Sequence, residues 1–227
     1  MATELTWLGH NTWLIATQGQ RILLDPFLDA SPTAPRTAAE VDAEFVLVSH
    51  GHFDHVADAA AVAVRCAATV VANFEICEWL TKRGVQHTEP MNLGGEIALP
   101  FGRVKLTVAH HSSTMPDGAP GGNPGGFLLR LPQTTLYFAC DTALFGDMQL
   151  LLHERIDLAV VPIGDRFTMG PDDSIEAIKL IGPQRVAPAH YNTWPPIAQD
   201  AAAWADKVRS QTVAEPLVLE PGQTISL

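Results

Sequence analysis

His50-Gly51-His52-Phe53-Asp54-His55 places three imidazoles and a carboxylate within six residues. It follows the apolar run Phe45-Val46-Leu47-Val48, which reads as a buried strand, and precedes the alanine-rich stretch 56–68, which reads as a helix. The cluster therefore falls on a loop just past a strand end, where an α/β protein presents its chemistry. Neutral imidazole and carboxylate are ligand types that zinc, iron and manganese accept. In an extended turn, His50 and His52 converge on one ion while Asp54 and His55 point to a neighbour. The stretch reads as a metal site.

Outward from it, the chain alternates strands and helices. Upstream, the runs 4–8, 12–16 and 21–25 make an antiparallel meander with tight connections, closed by Asp25-Pro26. Downstream, 69–72 reads as a strand and 74–83 as a helix capped by Asn73 and ended by Gly84. Strands follow at 95–99 and 103–110. The glycine- and proline-rich stretch 115–126 reads as a loop, either a plain connection or a flap over substrate. The second half repeats the pattern. Strands are expected at 126–131, 135–139, 158–161 and 186–189, and a helix at 147–154. A further helix, capped by Asp172-Asp173-Ser174, runs to Ile181. Ile197, Ala201, Trp204 and Val208 make another helical face, and 217–219 and 224–227 are closing strands. Two β-rich halves, about 1–110 and 120–227, lack a linker and are expected to pack as one domain over 1–227.

Composition bounds the function. With 227 residues, 47% hydrophobic and 17% charged, the chain can bury a sizeable core. A net charge of −11 argues against nucleic acid or an anionic membrane as the default partner. It leaves room for a small substrate, even a phosphorylated one, because bound ions reverse the local field. Three cysteines without a C-x-x-C pair, no signal-peptide pattern and no apolar run near the roughly 20 residues of a membrane helix point to a cytoplasmic protein.

More ligand candidates sit where apolar runs end: His110-His111, Asp141 and His190. With the six-residue cluster they make a set large enough for two ions. H-x-H-x-D-H after an apolar strand, then a histidine, an aspartate and a histidine at later strand ends, resembles the metallo-β-lactamase superfamily. Further blocks include Leu8-Gly9-His10, Leu24-Asp25-Pro26-Phe27, His111-Ser112-Ser113, Pro162-Ile163-Gly164-Asp165 and His190-Tyr191-Asn192-Thr193. They are similar to its small metal-dependent hydrolases of uncharacterised function, a branch akin to ascorbate-6-phosphate lactonase.

The resemblance implies an α/β fold, an αββα sandwich of two mixed β-sheets flanked by helices, with the ions at one edge between the sheets. It implies two divalent metal ions, zinc before manganese or iron. His50, His52 and His111 would hold one, Asp54, His55 and His190 the other, and Asp141 would bridge them. His111 is taken over His110 because the family's histidine precedes the serine pair. The implied activity is hydrolysis of an ester, lactone or phosphodiester bond in a small substrate by a hydroxide between the ions. Asp54 or Asp141 would orient that hydroxide or take its proton.

Around this set, Asp25 and Asp165 are the expected carboxylate partners of ligating imidazoles. His10 is expected to stabilise an oxyanion or bind a phosphate, with Thr142 and Asn192 as helpers beside ligands. Arg166, the nearest cation, would grip a phosphate or carboxylate. Specificity is expected in the loops 33–36, 115–126 and 166–171. Two other activities use the same frame: di-iron redox chemistry, which normally has Glu where His52 stands, and a nuclease or phosphodiesterase acting on nucleic acid. The resemblance also allows a homo-oligomer.

Overall fold

The run at 45–48 is apolar throughout because both faces of its strand are covered. In the computed structural model, which describes residues 2–227, Phe45 and Leu47 join the core between two sheets. Val46 and Val48 join a second core under an outer helix layer. The neighbouring strand divides the same way, with Ile22 and Leu24 inside and Leu23 outside.

The strands in chain order are β1 (Glu4–Trp7), β2 (Trp13–Thr17), β3 (Gln20–Leu24), β4 (Phe45–Leu47), β5 (Thr69–Asn73) and β6 (His87–Met91). They continue as β7 (Glu96–Leu99), β8 (Gly102–Val108), β9 (Gly125–Arg130), β10 (Thr135–Phe138), β11 (Leu158–Pro162), β12 (Arg185–Ala189), β13 (Glu215–Pro216) and β14 (Thr224–Ser226). Helices α1 (Phe53–Val56), α2 (Ala59–Cys66) and α3 (Phe74–Thr81) belong to the first part of the chain, α4 (Pro171–Ile181) and α5 (Ala201–Gln211) to the second.

One sheet has the order β14-β1-β2-β3-β4-β5-β6, the other β13-β12-β11-β10-β9-β8-β7. Both follow one plan. Antiparallel pairing runs up to β3 in the first and to β10 in the second, and parallel pairing takes over there. Parallel neighbours need long crossovers, and these supply the covering helices. The result is the expected αββα sandwich. Trp13 of β2 meets Phe138 of β10 across the middle at 6.2 Å. No helix among the described residues is long and apolar enough to cross a membrane.

Several local expectations change. The strand β6 carries no strand signal in the sequence, because His-Thr-Glu-Pro-Met is polar and includes a proline, which a sheet edge tolerates. Residues 146–154 form a 3-10 helix. The cap of α4 is Gly170, with Pro171 at the first position, rather than Asp172-Asp173-Ser174. Ser174 instead donates to Pro171 O and accepts from the buried indole of Trp204 at 2.8 Å. The strand expected at 217–219 ends earlier, as β13, and β14 crosses back to the first sheet.

The loop 115–126 is tied to α3 from both ends. Asn73 caps α3 through Oδ1, and its Nδ2 donates to Gly121 O and Asn123 O at 2.6 and 2.9 Å. Asp117 accepts from Trp79 and Arg83 at 2.9 and 2.8 Å. Met115 is buried against Gly51, where an added Cβ would meet its sulfur at 2.5 Å.

Candidate metal centre

Every cluster residue follows a strand. Asp25 follows β3, His50 to His55 follow β4, His111 follows β8, Asp141 follows β10 and His190 follows β12. The two sheets bring these ends to one edge. Sharp exits are needed there, and His10, Asp25, Cys140 and His190 hold left-handed backbone at φ 49°, 44°, 53° and 55°. Non-glycine residues adopt it only when the surroundings enforce it.

Two groups of side chains form. In the first, His52 Nδ1 lies 2.9 Å from His50 Nε2 and 3.3 Å from His111 Nε2. Two nitrogens on a tetrahedral zinc sit about 3.3 Å apart at ordinary bond lengths, so these three fit one ion. In the second, Asp54 Oδ2 lies 3.8 Å from His55 Nε2 and 3.7 Å from His190 Nε2. Asp141 stands between the groups. Its Oδ2 is 3.1 Å from His190 Nε2, 3.4 Å from His55 Nε2, 3.5 Å from His111 Nε2 and 3.9 Å from His50 Nε2. His55 Nε2 and Asp141 Oδ1 are buried without a hydrogen-bond partner. Buried polar atoms are rarely left so, and here a cation would satisfy them. Asp54 and His55 sit on α1 rather than on an extended turn.

The far side of each ring is also fixed. Fully buried Asp25 accepts from Asn11 Nδ2 (2.8 Å), Ser49 Oγ (2.6 Å), Ser49 N (2.7 Å) and His55 Nδ1 (2.9 Å). Since the Ser49 hydroxyl proton goes to Asp25, its oxygen accepts from His50 Nδ1 at 3.0 Å. One carboxylate thus keeps protons on the outer nitrogens of His55 and His50, and turns both Nε2 atoms inward.

Charge follows from these contacts. Burial and neighbouring His55 push His50 well below the ordinary histidine value, and burial also lowers His52 and His111. Burial alone would lower His190 too, but Asp141 and Asp54 raise it to about 9; Asp141, Asp54 and Asp25 likewise raise His55. Burial disfavours ionised Asp141, yet His190 and His55 hold it well below the usual carboxylate range.

Comparison with known proteins places this arrangement. Residues 20–191 match the profile of the Beta-lactamase superfamily domain. A UPF0173 metal-dependent hydrolase from Desulforamulus reducens is 45% identical over 229 residues, covering 99% of this chain and 100% of that protein. The chain belongs to the metallo-β-lactamase superfamily. A second UPF0173 metal-dependent hydrolase, from Thermus thermophilus, is 43% identical over 224 residues and 99% of both chains. The solved structure of Igni18, a metallo hydrolase from the archaeon Ignicoccus hospitalis, superposes with a TM-score of 0.91 at 32% identity, over 100% of this chain and 99% of that one.

In this metallo-β-lactamase superfamily member, some expected helpers have other work. His10 is fully buried and is not among the residues that line the pocket over the centre. Burial and nearby His190 push its pKa down to about 4. The neutral ring donates from Nε2 to Asp54 Oδ2 at 3.0 Å and accepts at Nδ1 from Thr193 Oγ1 at 2.7 Å. It positions Asp54. Asp165 is exposed in a turn, its Oδ1 taking Arg166 N, and bonds no imidazole. Thr142 holds the chain before His111, accepting from His110 N at 2.9 Å. Asn192 is exposed and braces the next loop by accepting from Gln199 N. His110 stacks on Phe145 at 4.6 Å, outside the centre.

A pocket of about 870 Å³ opens over the centre. Its floor is His52, Asp54, His111, Asp141 and His190, and Arg166 is among the residues that line it. Loop 115–126 supplies Pro116 and loop 166–171 supplies Phe167, but no residue of 33–36 lines it. The wall at Trp194, Pro196 and Ile197 was not anticipated.

Gly164 stands directly behind His190. An added Cβ would run into the carbonyl oxygen of His190 and approach Nδ1 to 3.3 Å. Gly164→Ala is expected to cost about 1–3 kcal/mol and to displace His190. Denaturant unfolding and metal content check this; wild-type values of both would contradict it.

Proposed function

We propose that this metal-dependent hydrolase works through two divalent ions, zinc first among them, on an ester, lactone or phosphodiester bond of a small substrate. The observation that carries the reading is Asp141 Oδ2, placed between two groups of three ligand-type side chains on the floor of a pocket. His50, His52 and His111 would hold one ion, Asp54, His55 and His190 the other, and Asp141 both. When bound, such a pair supplies a nucleophilic water at neutral pH and a Lewis acid for the electrophile.

The chain's own groups do the positioning. Asp25 and Ser49 keep the Nε2 lone pairs of His55 and His50 aimed inward. His10 holds one oxygen of Asp54, whose side chain reaches the pocket. Burial raises the Asp54 carboxyl, but His55, His10 and His190 outweigh it and hold it far below the ordinary range. From the pocket floor Asp54 would orient the attacking water. The three free cysteines suit a reducing cytoplasm.

The test is to strip the protein with a chelator, reload it with zinc or manganese, and assay an aryl ester, a lactone and an aryl phosphodiester. Turnover is expected to vanish and return with the metal. Turnover in the stripped protein would overturn the reading, and two irons with oxygen consumption would replace hydrolysis by redox chemistry.

Two narrower results are expected. His111→Ala removes one ion, whereas His110→Ala leaves metal content intact; the reverse pattern in elemental analysis would reassign the ligand. Metal binding also competes with protons. Asp141 and Asp54 raise His190 to about 9 in the absence of metal, so below that value it carries a proton that ligation must displace. Apparent affinity at the Asp54–His55–His190 position should therefore rise with pH from 7 to 9, about tenfold per pH unit for each proton released. Calorimetry in buffers of different ionisation enthalpy checks this; a flat affinity from pH 7 to 9 would contradict it.

A further inference from the structure

The pocket above the centre is chemically lopsided. Away from the floor its walls are mainly Phe53, Phe167, Trp194, Ile197 and Pro116. Phe53 and Phe167 leave 52% and 55% of their surfaces open at this pocket. Phe53 and Trp194 form one aromatic surface, their rings 6.0 Å apart. Among the described residues, Arg166 is the one arginine or lysine that lines the pocket, and it makes no ion pair with any carboxylate.

The backbone at Arg166 is held by its turn. Asp165 and Arg166 are consecutive non-glycine residues in left-handed backbone, at φ 61° and 44°. Asp165 Oδ1 accepts from Arg166 N at 2.8 Å, and Asp165 N donates to Met169 O at 3.1 Å. Buried Met169 then donates from its backbone to Thr142 O at 2.9 Å, next to Asp141. The turn is therefore anchored to the neighbour of Asp141 in the chain. Strained backbone kept at a pocket mouth commonly serves a contact made there. The guanidinium lies over the Phe167 ring at 5.5 Å, so charge and apolar wall form one surface.

We propose that the substrate is an apolar ester or lactone carrying one carboxylate, with its aromatic or branched aliphatic body against Phe53, Phe167 and Trp194 and its carboxylate on Arg166. This rests on the hydrolase reading and narrows it. A single planar guanidinium matches a carboxylate's charge and two oxygens. A phosphate monoester would bring a second charge that no other lysine or arginine in the pocket meets. The reaction is balanced by water alone: water adds across the acyl C–O bond, giving a carboxylic acid and an alcohol.

The experiment uses the metal-loaded protein and two matched esters without neighbouring-group chemistry, phenyl 4-carboxybenzoate and phenyl 4-carbamoylbenzoate. Wild type is expected to favour the carboxylate in kcat/KM by about tenfold or more. Arg166→Gln should collapse that ratio toward one, and Arg166→Lys should restore part of it, with charge but no fork. A ratio that Arg166→Gln leaves unchanged would place the carboxylate on the metals and overturn the proposal, as would a wild-type preference for the carboxamide. If neither ester turns over, hydrolysis fails separately, and calorimetry with the matching anilides decides the substrate class. Tighter binding of the carboxylate anilide, lost in Arg166→Gln, upholds it; equal binding of the two overturns it.

Discussion

Asp141→Asn is expected to empty both ion positions together and to lower turnover by at least about 100-fold, the upper range for removing even an outer partner of a metal ligand. The effect is large because, in the proposed centre, one oxygen serves both sites. Asp141 Oδ2 is within 3.1 to 3.9 Å of imidazole nitrogens from both groups, including His190 and His55 on one side and His111 and His50 on the other. Asparagine keeps the shape and removes the charge. In the metal-free protein it also removes the main counter-charge that raises His190 and His55, so both rings lose affinity for protons as well as for ions. Elemental analysis of folded variant protein checks this. Retention of one full equivalent would mean that Asp141 belongs to a single site.

Asp25→Ala carries the second large effect, and it strikes stability as well as chemistry. Four donors converge on this carboxylate in a fully buried position, from Asn11, His55 and both polar atoms of Ser49. Removing it leaves them unpaired, at a cost of about 3–5 kcal/mol. It also frees the tautomers of His55 and His50, which should weaken metal binding about 10–100-fold. Asp25→Asn keeps the volume but turns an N–H₂ toward donors, so it should recover little. Denaturant midpoints and metal titration measure both parts. A variant within about 0.5 kcal/mol of wild type, with normal affinity, would show that the network does not position the rings.

The fold was legible where the chain is buried on both sides or dense in ligand chemistry. Phe45-Val46-Leu47-Val48 is apolar on both faces because one faces the other sheet and one faces helices. The six residues that follow the run mark the edge where strands from both sheets end. Asp25 and Asp165 show the limit of such reading. Both follow a strand and adjoin a proline or glycine region, but only the fold puts Asp25 behind His55 and leaves Asp165 in solvent. Ser49 and Thr193 give no signal beyond lying near ligands in the chain, since their roles depend on the direction of one hydroxyl. His10 is the converse case. It is a conspicuous residue at a hairpin tip, yet β12 folds over it and makes it a buried support for Asp54. Trp194 to Ile197 form a pocket wall that no periodicity announces, because a three-residue 3-10 turn has none.

The most direct test of the proposed binuclear centre is anomalous diffraction from metal-loaded crystals at the edge of the bound metal. Two peaks about 3.5–4 Å apart are expected. One should lie among His50, His52 and His111, the other among Asp54, His55 and His190, with Asp141 touching both. A single peak, or two peaks that do not share Asp141, would contradict it.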